Sequence, residues 1–347
     1  MATTFKTFMN NDTVSTRTML HEAIPITGTL VSGTYGAFGA EDNIRNFSHG
    51  MFQSVYDYPY LSSSANHIFD ITVGYHNSSN LQSSINEQNN KKKNIYNQMA
   101  QVLVGYDATG SIMRFDEDGN FSAGGTKLND VFFMSFSRLL MKDEIKKGSF
   151  NLELGVSGTH IAGVGSLDVH HGEKAHGGRI TLKDTGAEND YRINSPAGEY
   201  GILYVSNSYS SEAAKPGPCI FRGATQQAAG LIYYQAGVAV ITSSVFMAGG
   251  LDFGGFLSKS CGMLDSAETG FESFTGSLTG STIQVNADAI RHRIYNVSFN
   301  NTTELNSTIY FCRANHNEFN YSSNPTYLTA SKIFVKENTL DTPVSYL

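Results

Sequence analysis

The strongest grouping of reactive residue types lies in FCRANHNEFNYSSNPTYL, Phe311–Leu328. Cys312 and His316 are four residues apart there, with asparagines beside them, which are the residue types of a thiol nucleophile, its base and an orienting amide. A catalytic thiolate is typically held at a helix N-terminus, whereas Cys312 ends an alternating, strand-like run. Tyr310 and Cys312 share one face of such a strand. We expect that face to be buried, so the pattern favours a small core residue over a nucleophile.

Metal-binding residue types gather in a glycine-rich segment at residues 155–178. Imidazole and carboxylate groups bind transition metals, and a catalytic zinc needs three ligands held in a fixed geometry. The run HHGEKAHGG offers no helix or strand that would fix them, which favours a solvated loop and leaves a metal hydrolase as an alternative. The candidate ligands are His160, His170, His171 and His176, with Asp168 and Glu173.

Paired carboxylates of the kind that cleave glycosidic bonds remain open on sequence alone. Asp116, Glu117, Asp118 and Asp130 are close along the chain. The run FDEDGN does not match a calcium loop, because counting from Asp116 places lysine, Lys127, where that loop requires its bidentate glutamate. The run DEDG instead predicts a hairpin turn.

Composition excludes several classes of protein. Only 16% of the 347 residues are charged, against about a quarter in an average soluble domain. The net charge of −7 and a single cationic run, Lys91–Lys93, disfavour nucleic acid as a partner. Cys219, Cys261 and Cys312 form no CxxC pair, so we expect free, buried thiols. No apolar segment has the length of a transmembrane helix, and we expect no membrane partner, cofactor or small-molecule substrate.

Short strand-like runs dominate the elements that must position these residues. From Arg179 onward, strands alternate with clusters of Gly, Pro, Asn and Asp, which is typical of a sandwich or barrel-like β domain. We therefore predict a mainly β fold with a few short helices. One amphipathic helix is predicted near residues 90–105, closed by Gly105. Its apolar stripe consists of Ile95, Met99, Val102, Leu103 and Tyr106.

Three regions are predicted along the chain. Residues 1–154 form an N-terminal mixed β domain with one helix, residues 155–178 a Gly/His-rich loop, and residues 179–347 a C-terminal β-rich domain. The final run, KIFVKENTLDTPVSYL, is strand-like to its last residue. Because chain ends usually tolerate fraying, either the last strand is docked or the sequence stops before the natural end of that domain, and we expect the second.

Several long stretches share one likeness: HEAIPITGTLVSGTYG, NFSHGMFQSVYDYPYLSSSANHIFDITVGY, KNIYNQMAQVLVGYDATGSI, LLMKDEIKKGSFNLELG, INSPAGEYGILY, FNNTTELNSTIYFCRANHNEFNYSSNPTYL and SKIFVKENTLDTPVSYL. In these stretches the sequence resembles a family of virion structural proteins from marine contractile-tailed, cyanophage-like bacteriophages. The resemblance implies a non-enzymatic structural component of the virion, made in the host bacterial cytoplasm. We expect it in the tail or baseplate, with the neck and capsid left open. Its implied partners are copies of itself and other virion proteins, and it implies no catalytic residues.

This resemblance gives Phe311–Leu328 a different interpretation. Tyr, Phe, Asn and Ser at low charge are residue types that protein interfaces use. We expect a strand and an ordered connection that take part in a subunit contact, with Met51–Tyr60 as a second contact surface. The alternative for each stretch is an ordinary set of core and loop aromatics. The alternative function is a carbohydrate-binding or glycan-degrading β-rich virion module, which the absence of Trp disfavours.

Overall fold

The structure is a computed structural model that describes most, though not all, of the chain. Its described residues are 7–33, 41–79, 87–121, 124–155, 179–206, 227–246 and 282–312, together with short strands at 328–329, 332–336 and 343–345. Within them the chain is mainly β, with sixteen strands and four α-helices, so the predicted fold class is confirmed.

Strands recur along the whole described chain. The first seven are β1 (Thr13–Thr27), β2 (Ile44–Asn46), β3 (Gln53–Tyr56), β4 (His67–Tyr75), β5 (Asp130–Phe136), β6 (Glu144–Ile145) and β7 (Asn151–Gly155). The next six are β8 (Arg179–Lys183), β9 (Arg192–Ser195), β10 (Gly198–Ser206), β11 (Gln227–Tyr233), β12 (Val238–Thr242) and β13 (Ile294–Tyr310). The last three are β14 (Leu328–Thr329), β15 (Lys332–Lys336) and β16 (Pro343–Ser345).

The helices are fewer and mostly short. They are α1 (Gly28–Ser32), α2 (Glu87–Leu103), α3 (Arg138–Met141) and α4 (Ile283–Arg291), with 3₁₀ turns at Asn10–Asp12 and Ser243–Phe246. The side chain of Thr282 caps α4 by accepting a hydrogen bond from the backbone N–H of Val285, which satisfies one of the free donors at a helix start.

Thirteen strands form one sheet in the order β1-β13-β7-β8-β10-β11-β12-β5-β4-β3-β2, with β6 added on β13 and β9 on β10. The pairings on either side of β12 and β5 are antiparallel. Strands β14, β15 and β16 form a second, separate sheet. The long strand β1 and the three-residue strand β2 therefore stand at the two ends of the main strand order.

The core lies around β5 and β12, whose sequences VFFM and VAVI are apolar without a break. Such runs are typical of strands covered on both faces. All five residues of β12 are buried, and Val131 to Met134 in β5 are fully inaccessible. The Phe136 ring contacts those of Phe69 and Phe299, with centroids 5.7 and 5.0 Å away.

Helix α2 confirms the predicted amphipathic helix, but its buried face differs from the predicted stripe. Val102 is exposed, and Tyr96 and Ala100 are buried instead. The Tyr96 hydroxyl donates a hydrogen bond to the carbonyl of Leu128 at 2.7 Å, so this residue supplies both apolar area and a polar anchor. Gly105 ends the helix with φ 93° and a hydrogen bond from its N–H to the Ala100 carbonyl, as predicted.

The chain divides into two compact units. The first combines Met1–Met19 with Glu304–Leu347, and the second is Leu20–Thr303. Strands on either side of the predicted 155–178 loop pair directly within the second unit, where Leu152 in β7 lies opposite Leu182 in β8. The structure therefore groups residues 20–154 and 179–303 in one unit rather than dividing them at that loop.

We expect Gly74→Ala to destabilise the second unit by about 1–3 kcal/mol, the usual cost of forcing atoms into a packed core. A Cβ at Gly74 in β4 would stand 2.9 Å from the backbone nitrogen of Tyr96, which would push α2 off the sheet. Urea unfolding measures the change. Gly124→Ala is the matched control, since nothing lies within 4 Å of its added Cβ; equal stability of the two variants would contradict this packing account.

Candidate functional site

Several residues singled out by sequence lie outside the described part of the chain. These are the metal candidates His160, His170, His171, His176, Asp168 and Glu173, together with His316, Cys219 and Cys261. The structure therefore tests neither the metal-hydrolase alternative nor a pairing of Cys312 with His316.

Cys312 is described, and its predicted burial is wrong. The Cys312 side chain is exposed, and so is Tyr310. Alternation correctly places the two residues on one face of the strand, but it does not say whether a second layer covers that face. Both side chains lie in solvent because this end of β13 pairs with β1 as a two-stranded ribbon.

The four clustered carboxylates have different surroundings. Asp116 is buried, and the Lys127 ammonium holds it 2.8 Å away in an ion pair. Burial raises the pKa of Asp130 to about 6, partly opposed by the hydrogen bond that Ser79 donates to it. Glu117 also has a raised pKa, from burial first and then from the charges of its two neighbours, Asp116 and Asp118. A buried, ion-paired carboxylate such as Asp116 cannot reach a glycosidic bond.

The most concentrated polar cluster of the second unit surrounds Arg291, at the end of α4. Its guanidinium is fully buried, and four bonds hold it. Nε donates to Gln53 Oε1 at 2.9 Å and Nη1 to the Val31 carbonyl at 3.0 Å. Nη2 contacts Glu41 Oε1 at 2.9 Å and Asp288 Oδ1 at 2.6 Å. We call these five residues, together with the neighbouring His292, the arginine network.

The arginine network joins elements that are distant in sequence. Gln53 lies in β3 and also donates to Asn46 Oδ1 in β2 and to Asp288 Oδ1 in α4, each at 2.9 Å. Glu41 precedes β2 and has φ 61°, in the left-handed region. A cluster of bonds this dense can hold such a strained residue in place. The network thus fixes α4 against β2 and β3.

Glu41, Asp288 and His292 have the composition and spacing of a metal site. One ligand atom from each lies within 4.8 Å of the others. However, Arg291 Nη2 contacts all three of those atoms, because it is also 3.2 Å from His292 Nε2. The guanidinium nitrogen therefore occupies the place of a cation, and its positive charge would repel one. The cluster is a satisfied structural network rather than a metal centre.

Electrostatics in the network favour a charged glutamate. Burial alone would raise the pKa of Glu41, but the hydrogen bond from His292 and the charge and hydrogen bond of Arg291 outweigh it, and the pKa falls to about 2. Burial lowers the pKa of His292, against the raising effect of its bond to Glu41. Arg291 is therefore the cation of the network at neutral pH, and His292 acts through its 3.0 Å contact with Glu41 Oε1.

Sequence reasoning missed this network. Glu41 and Arg291 are separated by most of the chain, and neither stands in a motif. The only local signal is the polar run RHR after a short apolar helix, at Arg291–Arg293, all of which is buried.

A two-stranded ribbon is the main exposed feature of the first unit. It consists of residues 13–19 of β1 and 304–310 of β13, and we call it the ribbon. Every described side chain of β1 from residue 13 to 19 is exposed. The backbone N–H of Phe311 donates to the Asp12 carbonyl at 2.7 Å, which extends the pairing beyond the strands.

Both faces of the ribbon carry exposed apolar residues. The hydroxyls of Ser15 and Thr308 lie 3.2 Å apart, which places both on one face. That face also carries the ion pair between Arg17 and Glu304, and alternation adds the exposed side chains of Met19 and Tyr310 to it. Since side chains alternate along a strand, the opposite face carries four apolar residues, all about half exposed. They are Val14, Leu305, Ile309 and Phe311, at 42%, 49%, 49% and 50%.

A second exposed surface, the edge patch, lies at the other end of the strand order in the second unit. The Arg45 guanidinium carbon lies 4.5 Å from the Phe47 ring centre and 6.0 Å from that of Tyr60. The Phe47, His49 and Phe52 rings contact one another at 4.8–5.0 Å. These five residues form the edge patch, and Arg45, His49 and Tyr60 are exposed.

The predicted contact surface Met51–Tyr60 divides between core and surface. Gln53, Ser54 and Val55 are buried in β3, whereas Met51 and Tyr58 are exposed beside the edge patch. Beyond the stretch, Leu61 is 87% exposed. Within Met51–Tyr60, only the two ends are therefore exposed to a partner.

Comparison with known protein families, with curated proteins and with solved structures found no match to this chain. In the part of the chain that the structure describes, no helix is both long enough and apolar enough to cross a bilayer.

We expect Glu41→Gln to lower stability most at neutral pH. Because the folded pKa of Glu41, about 2, is below its ordinary value of 4.5, its contribution is fully present above pH 4.5 and is lost as pH falls through 2. The shift corresponds to about 3 kcal/mol at most. Unfolding free energies of wild type and variant, measured from pH 2 to 7, should converge toward the acid end.

Glu87→Gln is the control, because Glu87 is exposed and its ion pair with Lys91 lies on the helix surface. Such pairs contribute little to stability. A stability loss in Glu41→Gln that is constant over the whole pH range would show that the charge of Glu41 has no role.

Proposed function

We propose that this protein is a non-enzymatic structural component of a phage virion, in the tail or baseplate, that acts through contacts with copies of itself and with other virion proteins. The observation that carries the proposal is the ribbon, an apolar strand surface that the chain builds and leaves in solvent. The sequence resemblance supports the assignment to a virion, and the exposed surfaces support a role in contacts between proteins.

The ribbon supports an interaction role because of how it is built. A two-stranded ribbon is marginally stable in water on its own. Apolar side chains placed there add little to folding while half of their area stays exposed, yet the burial of that area would stabilise a contact. Exposed, contiguous apolar surface is the usual mark of a protein interface.

The edge patch supports the same role with different chemistry. Tyr and Arg are enriched among the residues that contribute most to binding at protein interfaces. Arg45 in the patch is already positioned by the rings of Phe47 and Tyr60, so less side-chain freedom is lost when a partner docks.

The buried chemistry supports a structural protein as well. One carboxylate that the sequence offered as a candidate for catalysis, and two that geometry groups as metal ligands, are paired inside the fold. Asp116 is paired with Lys127, and Glu41 and Asp288 are paired with Arg291.

The test is the composition of purified virions of the phage that encodes the chain. Quantitative mass spectrometry should find the protein in multiple copies per particle, and particles assembled with Arg45→Ala/Tyr60→Ala should contain several-fold less of it, because the edge patch loses its cation and one ring. Val102→Ala is the control, since Val102 is an exposed apolar residue on α2, outside both surfaces. A protein found only in the infected-cell lysate, never in particles, would contradict the proposal.

The second candidate is a carbohydrate-binding virion module, and the edge patch is what favours it. Exposed aromatic rings beside a polar cation suit the apolar face and the hydroxyls of a sugar. A glycan array should then show binding that Tyr60→Ala and Arg45→Ala abolish, with a reducing-sugar assay to detect cleavage. Absence of binding to every glycan, together with loss of the protein from variant particles, would leave the structural role alone.

A further inference from the structure

We draw no further inference here: the strongest candidate, the exposed apolar surface of the ribbon at Val14, Leu305, Ile309 and Phe311, identifies no partner, because nothing in the structure shows what covers it.

Discussion

A two-stranded ribbon cannot cover its own faces, and that constraint governs the first unit. β1 and β13 satisfy each other's backbone hydrogen bonds, but their side chains point to two sides with no third layer over residues 13–19 and 304–310 among the described residues. Folding therefore gains little from Leu305 and Ile309. About half of the burial free energy of these side chains is left for a later contact, since that energy is roughly proportional to the apolar area removed from water.

In the second unit, charged groups around Arg291 pair with one another inside the protein, whereas the side chains of the ribbon are exposed to solvent. Arg291 pairs with the carboxylates of Glu41 and Asp288 inside the protein, and its removal would leave both without their cation, which is destabilising. The three potential ligand atoms of Glu41, Asp288 and His292 already contact the guanidinium. The grouping that resembles a metal site therefore holds α4 against the β2–β3 edge. The second unit thus uses these groups for attachment inside the chain, whereas the proposed function assigns the surface of the first unit to attachment between chains.

Local patterns in the sequence were sufficient for the fold class and for one helix. Short apolar runs between turn residues predicted a mainly β chain, and the spacing of Ile95, Met99 and Leu103 predicted α2. The exposed Val102 shows the limit of that reasoning, since residue type alone cannot say that Tyr96 anchors the helix by its hydroxyl. Burial of Cys312 was predicted wrongly for a related reason: a period of two assigns residues to a face but contains no information about what covers it.

Long-range contacts could not be predicted from the sequence. Glu41 and Arg291 meet only because β2, β3 and α4 come together, and no motif marks either residue. The aromatic stretch Met51–Tyr60 was recognised by composition, but its division into a buried strand and exposed ends depends on β3 pairing with β4. Composition therefore could not separate the buried part of this stretch from its exposed ends.

Hydrogen–deuterium exchange of the ribbon amides is the most direct test that this surface is completed by assembly. In the dilute free chain, amides of residues 13–19 and 304–311 should exchange quickly, because a lone strand pair frays. In assembled particles they should exchange at least about tenfold more slowly, while amides of β5 and β12 remain equally protected in both states. Identical ribbon exchange rates in the two states would contradict the account.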